Sequence, residues 1–350
     1  MMENTANVNR KAPAAMRGPA ETSEMTKGML LAGDIGGTKT LLGLFDPSSA
    51  RPRPLMVRTF ATPDYDDLLS IIADFMAGDA VARSSIESVC FGVAGPVIDE
   101  AVELVNVPWK VDARRVVSRF GFASVALLND LQALAYSVPV LTPSEVHVLQ
   151  EGHPVPRGNI AVIAAGTGLG EAMLHYVNDR FIPSASEGGH ADFSARTERE
   201  IVLLRDLTAR YGRAEVESVL CGPGLVNVYR VTHDERCAAS IDIEDPDAPA
   251  AISKAALERR CAGCEEALGM FVEAYGAESG NLALRVVATS GVYIGGGIAP
   301  KILPALTDGR FIRAFRAKPP LEAMLEAMPV KVILNAEAGL LGAAVYAAGA

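Results

Sequence analysis

Two segments far apart in the chain share one pattern: an apolar run, a glycine-rich turn and a second apolar run. The first spans residues 30–46 (LLAGDIGGTKTLLGLFD) and the second spans residues 159–177 (NIAVIAAGTGLGEAMLHYV). Each is typical of a β-hairpin, because two strand-like runs flank a short turn that contains glycine. The recurrence predicts a duplicated architecture in which the two turns face each other across a cleft.

The first turn carries the groups that a phosphate chain and its metal ion need. Gly36 and Gly37 allow successive backbone N–H groups to approach a ligand, and Asp34, Thr38 and Thr40 place oxygen atoms beside them. The alternative is a hairpin turn that needs glycine only for its geometry. This stretch alone does not decide between the two interpretations.

Neither turn is one of the common nucleotide-binding motifs. A Walker A loop has glycine directly before its lysine, whereas Thr38 precedes Lys39 here. The second turn, Gly166-Thr167-Gly168, continues with the spacing G-x-G-x-G into a strand, whereas the dinucleotide fingerprint opens a helix. The recurrence predicts instead that the two hairpin turns clasp one polyphosphate between them.

Charge and hydropathy exclude several classes of partner. The formal net charge is -10 and the isoelectric point is near 5.1, so no basic surface is expected to attract a nucleic acid or an anionic membrane. No apolar run approaches the length of a membrane span. Residues 1–28 are polar and lack an apolar core, which predicts a disordered extension and not a signal peptide. Small ligands are the favoured partners.

The cysteines favour a reducing, cytoplasmic location. They are odd in number and have no framework spacing: Cys90, Cys221, Cys237, Cys261 and Cys264. The pair Cys261-Ala-Gly-Cys264 has the spacing of half a zinc site, but no second ligand pair follows it at finger-like spacing. We therefore predict ordinary thiols.

The remaining periodicity predicts a mixed α/β fold. Apolar runs predict strands at residues 55–61, 86–93, 125–128, 286–294 and 330–334. Helical spacing of apolar residues predicts helices at 65–77, 198–211, 301–306 and 338–348, and one or two long helices within 252–278.

An Asn-Asp pair follows one of the short buried strands. Asn129 and Asp130 come directly after residues 125–128 and directly before a helical stretch. Ligands of open α/β sheets lie beyond the carboxyl ends of the strands, so the pair is expected to point into a cleft. The alternative is that one of the two residues caps the helix, and both interpretations can hold together.

Two further glycine-containing segments are candidates for ligand contacts. In the segment 186–192 (SEGGHAD), Glu187 and His190 flank two glycines and can form paired hydrogen bonds with neighbouring hydroxyl groups. A surface loop without a ligand is the alternative. Gly296 and Gly297 lie between a predicted strand and a predicted helix, where bare backbone can lie against a nucleotide. The alternative there is a turn that needs glycine for geometry alone.

Six segments, in this order, closely resemble the bacterial glucokinase family of ATP-dependent hexose kinases: AGDIGGTKT, LLNDLQALAYSV, AAGTGLGEAML, SEGGHADF, ESVLCGPGLVNVYR and YIGGGIAPKI. The resemblance covers the chain from about residue 29 onward. It implies the actin-like, ribonuclease H-like ATPase fold, with two α/β domains and a cleft between them. Residues 29–140 with 335–350 would form the small domain, and residues 141–334 the large one.

The resemblance also implies site residues. Asp130 would be the general base on the sugar 6-hydroxyl. The other sugar contacts would come from Asn129, Glu187, His190, Glu217 and Gly168. The phosphate loops would comprise Asp34, Gly36, Gly37, Thr38 and Lys39 in the first turn and Gly166 and Thr167 in the second, with Asp34 oriented towards Mg²⁺ and with Gly296 and Gly297 against adenosine. Lys39 stands where many members carry asparagine, and Cys221 where serine is common.

The implied activity is the transfer of phosphate from ATP to glucose, the entry step of glycolysis, with Mg²⁺ as cofactor and a homodimer as the assembly. One alternative is a hexose or amino-sugar kinase of the related repressor, open-reading-frame and kinase (ROK) family, whose members usually carry a cysteine-rich zinc motif soon after the Glu-x-Gly-His element. Nothing like that motif follows His190. The other alternative is a non-enzymatic sugar-sensing regulator, for which residues 1–28 are too short and too polar to form the expected helix-turn-helix.

Overall fold

A computed structural model describes residues 28–47, 49–77, 86–104, 107–233 and 237–349. The predicted disordered extension lies outside this range except for Gly28. The strands of the described residues are β1 Met29–Ile35, β2 Lys39–Asp46, β3 Arg53–Ala61, β4 Ile86–Val93, β5 Ala101–Glu103, β6 Lys110–Asp112, β7 Val125–Asn129, β8 Val146–Gln150, β9 Ile160–Ala165, β10 Leu169–Val177, β11 Arg180–Ser186, β12 Gly291–Gly295 and β13 Val330–Ile333. The helices are α1 Leu68–Ala77, α2 Ala113–Phe120, α3 Asp130–Ser137, α4 Glu198–Tyr211, α5 Gly222–Thr232, α6 Ala248–Leu257, α7 Ala262–Val286, α8 Leu303–Leu306, α9 Arg310–Arg316, α10 Glu322–Ala327 and α11 Ala338–Gly349.

The two large sheets repeat one strand order. The first sheet runs β3-β2-β1-β4-β7 and the second runs β11-β10-β9-β12-β13-β8. In each sheet an antiparallel hairpin carries a third antiparallel strand on one side and two parallel strands on the other. The two hairpins that share the sequence pattern, β1/β2 and β9/β10, occupy equivalent positions. The predicted duplication is therefore confirmed.

Both faces of the first sheet are covered. Leu31 and Ile35 of β1 pack with Phe75 of α1 on one face, whereas Leu30 and Ala32 pack against α11 on the other. Alternate residues of a strand point to opposite faces, so a strand that is covered on both sides needs an almost continuous apolar run. This explains why β1 is apolar up to Asp34.

The last helix returns to the first sheet. Residues Ala343 and Ala344 of α11 share a buried cluster with Leu30 of β1. A Cβ built on Gly342 would lie 1.7 Å from the carbonyl oxygen of Ala133, so α11 and α3 approach each other at a distance that only glycine permits. The predicted helix at 338–348 is confirmed, and it covers a strand from the opposite end of the chain.

Helix α7 is the centre of the second half of the molecule. Phe271 and Tyr275 of α7 are fully buried in the cluster that underlies the second sheet. The strand predicted at residues 286–294 is wrong in its first part, because α7 extends to Val286 and β12 begins only at Gly291. A short apolar run does not distinguish a buried helix end from a buried strand.

The helix predicted at residues 301–306 is also wrong in its first part. The chain leaves β12 in successive turns, in which the N–H groups of Lys301 and Ile302 bond to the carbonyl oxygen of Ile298 at 2.9 and 3.2 Å. Only Leu303–Leu306 form a helix. No helix in the described part of the chain is both long enough and apolar enough to span a membrane.

Candidate active site

The first glycine turn, between β1 and β2, is stabilised by hydrogen bonds from one threonine, Thr62. The Gly36 N–H donates to the Lys39 carbonyl oxygen at 3.0 Å, while Thr62 donates its hydroxyl to the Gly36 carbonyl at 2.8 Å and its N–H to the Thr38 carbonyl at 3.1 Å. Thr40, whose hydroxyl was expected to face the ligand, is instead buried and bonds to the Thr62 hydroxyl at 2.9 Å. The side chains of Thr38 and Lys39 are exposed.

Asp34 lies near the end of β1, where its carboxyl group is close to the charges of Asp130 and Lys39. The pKa of its carboxyl group is raised to about 6, first by burial and then by the nearby charge of Asp130, against the lowering effect of Lys39. A Cβ built on Gly339 would lie 2.9 Å from Asp34 Oδ2, so the carboxyl group lies against the first turn of α11. Two neighbouring carboxyl groups are oxygen ligands that suit a hard divalent cation, and a cation would relieve the repulsion between them. Asp34 therefore fits a magnesium site.

Asn129 forms the N-cap of α3. Its Oδ1 accepts from the backbone N–H groups of Leu131 at 3.0 Å and Gln132 at 3.3 Å, and its Nδ2 donates to the Gly95 carbonyl at 3.2 Å. The capping interpretation is thus confirmed. Because the amide oxygen is used by the cap, Asn129 can serve a ligand only with its remaining N–H.

Asp130 begins α3 and is accessible to solvent at the edge of the first sheet. Protein surrounds the carboxyl group closely enough for desolvation to raise its pKa, against the effect of the Leu131 N–H, which donates to Oδ1 at 2.8 Å. The charge of Glu187 raises the pKa further. Asp130 therefore lies within electrostatic reach of both Asp34 and the Glu187 loop.

A backbone pairing brings the Glu-Gly-Gly-His segment to a second acidic segment. The Glu217 N–H donates to the Gly189 carbonyl at 2.8 Å, and the Val216 N–H donates to the Ala191 carbonyl at 2.9 Å. These bonds bring together side chains that the sequence separates by more than twenty residues. The predicted grouping of His190 with Glu217 depends on them.

His190 lies between two carboxyl groups, one of which the sequence reasoning missed. Its Nδ1 is 3.2 Å from Glu215 Oε2, and its Nε2 is 4.0 Å from Glu187 Oε2. Arg213 donates to the His190 carbonyl and lies 3.8 Å from Glu215. Glu215 lies two residues before Glu217, at the start of a turn in which the Ser218 N–H donates to the Glu215 carbonyl at 3.1 Å, and no local sequence pattern identifies it. His190, Glu215 and Glu217 each place one ligand atom within 4.8 Å of the others.

Glu217 also supports the second glycine turn. Its Oε2 accepts from the Leu169 N–H at 2.7 Å, and a Cβ built on Gly168 would lie 2.6 Å from the same oxygen. Within the turn the Gly166 N–H donates to the Gly168 carbonyl at 2.8 Å, and the Gly222 N–H donates to the Gly166 carbonyl at 2.9 Å. A residue predicted to bind sugar therefore touches a turn predicted to bind phosphate.

The third glycine turn lies beside the second. Gly296 has a φ of 82°, and a Cβ built on it would lie 2.2 Å from the Ala165 carbonyl oxygen, so this position requires glycine for geometry. Gly297 has open space around it, and both glycines, like Thr167 of the second turn, are exposed. Tyr275 ties the two turns together, because its hydroxyl accepts from the Ala165 N–H at 3.2 Å and lies 3.4 Å from the Gly295 carbonyl.

Glu171 is a buried acid to which no sequence pattern gave a role. It is 1% exposed, and its Oε1 has no hydrogen-bond partner among the described residues. Burial and the charge of Glu278 raise its pKa to about 7, against the lowering effect of Arg285. A Cβ built on Gly188 would lie 2.1 Å from Glu171 Oε2, so the carboxyl group lies directly beneath the segment that carries Glu187 and His190.

The predicted residues thus form two connected groups. Asp34, Asp130 and Glu187 are linked through their charges, and Glu187, His190 and Glu217 are linked through the paired segments. Glu217 extends the second group to Gly168, and Ala165 connects the second turn to Gly296. The apposition of the first and second turns across a cleft stays a prediction.

Comparisons with known proteins identify the family of the chain. The family model described as Glucokinase matches residues 31–350. A glucokinase from Nostoc punctiforme is 39% identical over 340 residues, which cover 91% of this chain and 99% of that protein. The crystal structure of a glucokinase from an Antarctic psychrotroph is similar with a TM-score of 0.81 and 28% identity, over 92% of this chain and 99% of that one.

A more distant structure shares the fold alone. The ROK family glucokinase from Streptomyces griseus, solved in complex with glucose and AMPPNP, has a TM-score of 0.60 and 22% identity, over 92% of this chain and 100% of that one. The mixed α/β fold with repeated sheets is thus the fold of these glucokinase structures. From the family model and the identity to curated relatives, we conclude that the chain belongs to the glucokinase family.

Proposed function

We propose that the protein is a glucokinase that transfers the γ-phosphate of ATP to the 6-hydroxyl group of D-glucose, giving glucose 6-phosphate and ADP. The observation that carries the proposal is the position of Asp130. Its carboxyl group is close enough to both Asp34 and Glu187 for their charges to interact. A proton acceptor near both a cation-binding carboxyl group and a hydroxyl-binding segment is what phosphoryl transfer to an alcohol requires.

Asp130 acts as the general base. Phosphoryl transfer needs little covalent help from the protein, but the attacking hydroxyl must lose its proton as the new bond forms. A carboxylate whose pKa is raised towards the working pH accepts that proton more effectively than an ordinary surface carboxylate. The Leu131 N–H, at 2.8 Å from Oδ1, fixes the orientation of the carboxyl group at the start of α3.

The sugar hydroxyls are bound by groups of complementary hydrogen-bonding character. Glu187 and Glu217 accept, the remaining Asn129 N–H donates, and the His190 imidazole can do either. The contact between His190 Nδ1 and Glu215, at 3.2 Å, holds the imidazole ring so that Nε2 is the nitrogen available to a sugar. Gly168 completes this side of the site, and Glu215 acts as a positioning residue.

The phosphates are bound by backbone N–H groups of the two turns, from Gly37 to Lys39 and from Thr167 to Gly168, because the N–H groups of Gly36 and Gly166 already donate within their own turns. Asp34 would hold the Mg²⁺, which when bound neutralises the charge of the β- and γ-phosphates. Gly297, with open space around it, would lie against the adenosine, next to Gly296. Lys39 lies on the solvent side of the first turn, where its charge can reach a phosphate.

The proposal places the sugar between two domains, residues 29–140 with 335–350 and residues 141–334. The support for this division is that each part would contain one of the two repeated sheets, and that α11 packs on the first sheet. Closure of the cleft over the sugar would exclude water, which otherwise competes for the γ-phosphate. A homodimer and a cytoplasmic location complete the proposal.

A coupled assay tests the proposal directly. The purified protein is incubated with ATP and Mg²⁺ and with each of glucose, mannose, fructose and N-acetylated amino sugars, and the panel is repeated with ADP and with polyphosphate as donors. We expect glucose and ATP to give the highest kcat/KM. Turnover of amino sugars in preference to glucose would indicate the activity of the ROK family. If no sugar is turned over, the proposed enzymatic activity is wrong.

A further inference from the structure

Four metal-ligand side chains, none of them assigned to the sugar and phosphate sites, converge in the second half of the chain. His233 directly follows α5, Cys237 lies a few residues later, and Cys261 and Cys264 begin α7. Each places one ligand atom within 4.8 Å of all the others. Cys264 is fully buried, Cys261 is 7% exposed, and the other two side chains are half-buried.

Four of the six distances between these atoms are close to the edges of a tetrahedron around one metal ion, and the other two are within 4.8 Å. Cys237 Sγ is 3.6 Å from Cys261 Sγ and 3.9 Å from Cys264 Sγ. His233 Nε2 is 3.3 Å from Cys261 Sγ and 3.9 Å from Cys264 Sγ. Zinc bonds of about 2.3 Å to sulfur and about 2.0 Å to nitrogen give tetrahedral edges of roughly 3.8 Å between sulfurs and roughly 3.5 Å between nitrogen and sulfur.

The surroundings of His233 fix the imidazole in the form that binds a metal. Its Nδ1 lies 3.0 Å from the Tyr229 carbonyl oxygen, to which it donates, so Nε2 carries the free lone pair and faces the cysteines. The ring stacks on the ring of Tyr229 at a centroid distance of 3.8 Å. A Cβ built on Gly263 would lie 2.6 Å from His233 Nε2, so the glycine between the two cysteines makes room for the imidazole.

Two of the three sulfur atoms also receive hydrogen bonds. The N–H groups of Cys264 and Ala238 donate to the sulfur of Cys261. The Tyr229 hydroxyl donates to the sulfur of Cys237. Thiolates are the form in which cysteine binds zinc.

A disulfide and a set of ordinary thiols each account for less of this arrangement. A disulfide between Cys237 and Cys261 would need the sulfurs at about 2.05 Å, whereas they are 3.6 Å apart, and it would leave His233 and Cys264 without a role. A set of ordinary buried thiols does not explain why an imidazole directs its lone pair at the sulfur atoms, or why a glycine makes room for that ring.

We propose that His233, Cys237, Cys261 and Cys264 form a structural zinc site. With four protein ligands the site is closed and leaves no position for a substrate, which is typical of structural zinc. It joins the end of α5 to the start of α7. Both helices lead to the second glycine turn, α5 through the bond of Gly222 to Gly166 and α7 through Tyr275. The zinc therefore stabilises the two helices that hold the second glycine turn. This inference does not depend on the identity of the substrate.

The sequence contains the signal, but the ligand pairs come in the reverse of the expected order. The pair Cys261-Ala-Gly-Cys264 looks incomplete because no ligand pair follows it. The second pair, His233-x3-Cys237, precedes it instead. The expectation of an ordinary thiol is kept for Cys90 and Cys221, and the proposal replaces it for the three cysteines of the cluster.

The primary test is the metal content of the full-length protein, purified without a metal-affinity tag or chelator and analysed by inductively coupled plasma mass spectrometry. We expect about one zinc per chain. X-ray absorption spectra at the zinc edge should then give three sulfur neighbours and one nitrogen neighbour. Zinc far below one per chain that does not rise after incubation with zinc and gel filtration would overturn the proposal, as would oxygen neighbours in place of sulfur.

Variants of the cluster supply a second test that does not depend on activity. Cys264→Ser and His233→Ala should each lose most of the bound zinc, whereas the matched control Cys90→Ala, which removes a buried thiol elsewhere, should keep it. If the cluster variants fail to fold, the wild-type protein is titrated with a zinc chelator, which should release the metal and lower Tm. An unchanged zinc content in both cluster variants would contradict the assignment of these ligands.

Discussion

The two glycine-rich hairpin turns occupy equivalent places in their sheets, yet different groups hold them. The first turn rests on the neutral hydroxyl of Thr62 and has a carboxyl group of its own, Asp34, just before it. The second has no acid in the preceding strand and rests on Glu217, a carboxylate from a distant segment. One turn therefore offers a charge to a cation, and the other depends on a residue of the proposed sugar site.

This difference has a functional consequence within the proposed mechanism. The Glu217 oxygen that bonds to the Leu169 N–H at 2.7 Å belongs to the same carboxylate that is proposed to bind a sugar hydroxyl. Occupancy of the sugar site can then alter the geometry of the second turn, while the first turn is independent of the sugar. Coupling of this kind uses the binding energy of the correct sugar to complete the phosphate site.

Removal of the carboxyl group at Asp130, the proposed general base, has the largest expected effect. Asp130→Ala should lower kcat by a factor of roughly 10² or more because the general base is lost, while glucose binding measured by calorimetry persists. Asp112→Asn is the matched control, since Asp112 also lies at a helix N-terminus and caps α2. A near wild-type kcat for Asp130→Ala would mean that another residue is the base.

The charge that distinguishes the first turn is tested by Asp34→Asn. We expect the Mg²⁺ concentration for half-maximal rate to rise by roughly tenfold to a hundredfold, as is common when a group that orients a metal is changed. Glucose affinity in the absence of nucleotide should stay the same. A Mg²⁺ dependence that matches the wild type would remove Asp34 from the metal site and with it the contrast between the two turns.

Glu217→Gln tests the dependence of the second turn on the sugar site. We expect glucose affinity to fall by about 1 to 3 kcal/mol through the loss of a charged hydrogen-bond acceptor, and the KM for ATP to rise as well. Two variants serve as matched controls. Glu187→Gln should weaken glucose binding alone, and Thr62→Val should raise the KM for ATP alone. If Glu217→Gln leaves the KM for ATP unchanged, the proposed coupling is wrong.

The smallest expected effect concerns Glu171, which marks a further difference between the two hairpins. In the first hairpin β2 has only apolar residues or glycine from Leu41 to Phe45, whereas in the second β10 carries this buried acid. Its pKa is about 7 in the folded chain, against 4.5 for an ordinary glutamate. The folded state therefore binds more protons than the unfolded state between these values, and ionisation of Glu171 lowers the free energy of unfolding as the pH rises.

Glu171→Gln mimics the protonated acid at every pH. We expect it to raise the free energy of unfolding by about 1 to 2 kcal/mol at pH 8, from about 1.4 kcal/mol per pKa unit with an allowance for relaxation. The gain should fade as the pH approaches 5, where the wild-type carboxyl group is protonated when folded. Denaturant melts of both proteins across this range provide the measurement. A gain that does not depend on pH would show that Glu171 is not the titrating group.

Much of the fold follows from local sequence. The hairpin β1/β2, the strand β4 and the helix α4 have clear apolar periodicity and distinct turns, and their positions agree with the prediction to within one or two residues. The boundary between α7 and β12 was misplaced, because residues on both sides of it are apolar and buried. There only the surrounding packing decides between helix and strand.

Some residues of the candidate site were also identified from local sequence, and others were not. Asn129 and Asp130 were identified because a strand end delivers them, and His190 because two glycines precede it. Glu215 and Glu171 were missed. Glu215 matters through a backbone pairing between segments distant in sequence, and Glu171 through burial beneath Gly188. Neither relation leaves a local pattern, so only the folded structure reveals them.

The packing of α11 against β1 has a consequence for the order in which the chain folds during synthesis. The face of the first sheet that carries Leu30 and Leu41 is covered by Leu340, Ala343 and Ala344, residues that leave the ribosome after both sheets have been made. Until then this half of the nascent chain exposes an apolar surface, the kind of surface that chaperones bind and that leads to aggregation. In a chain that is released before α11 is complete, this face of the first sheet would stay exposed to solvent, although every residue of the sheet itself is present.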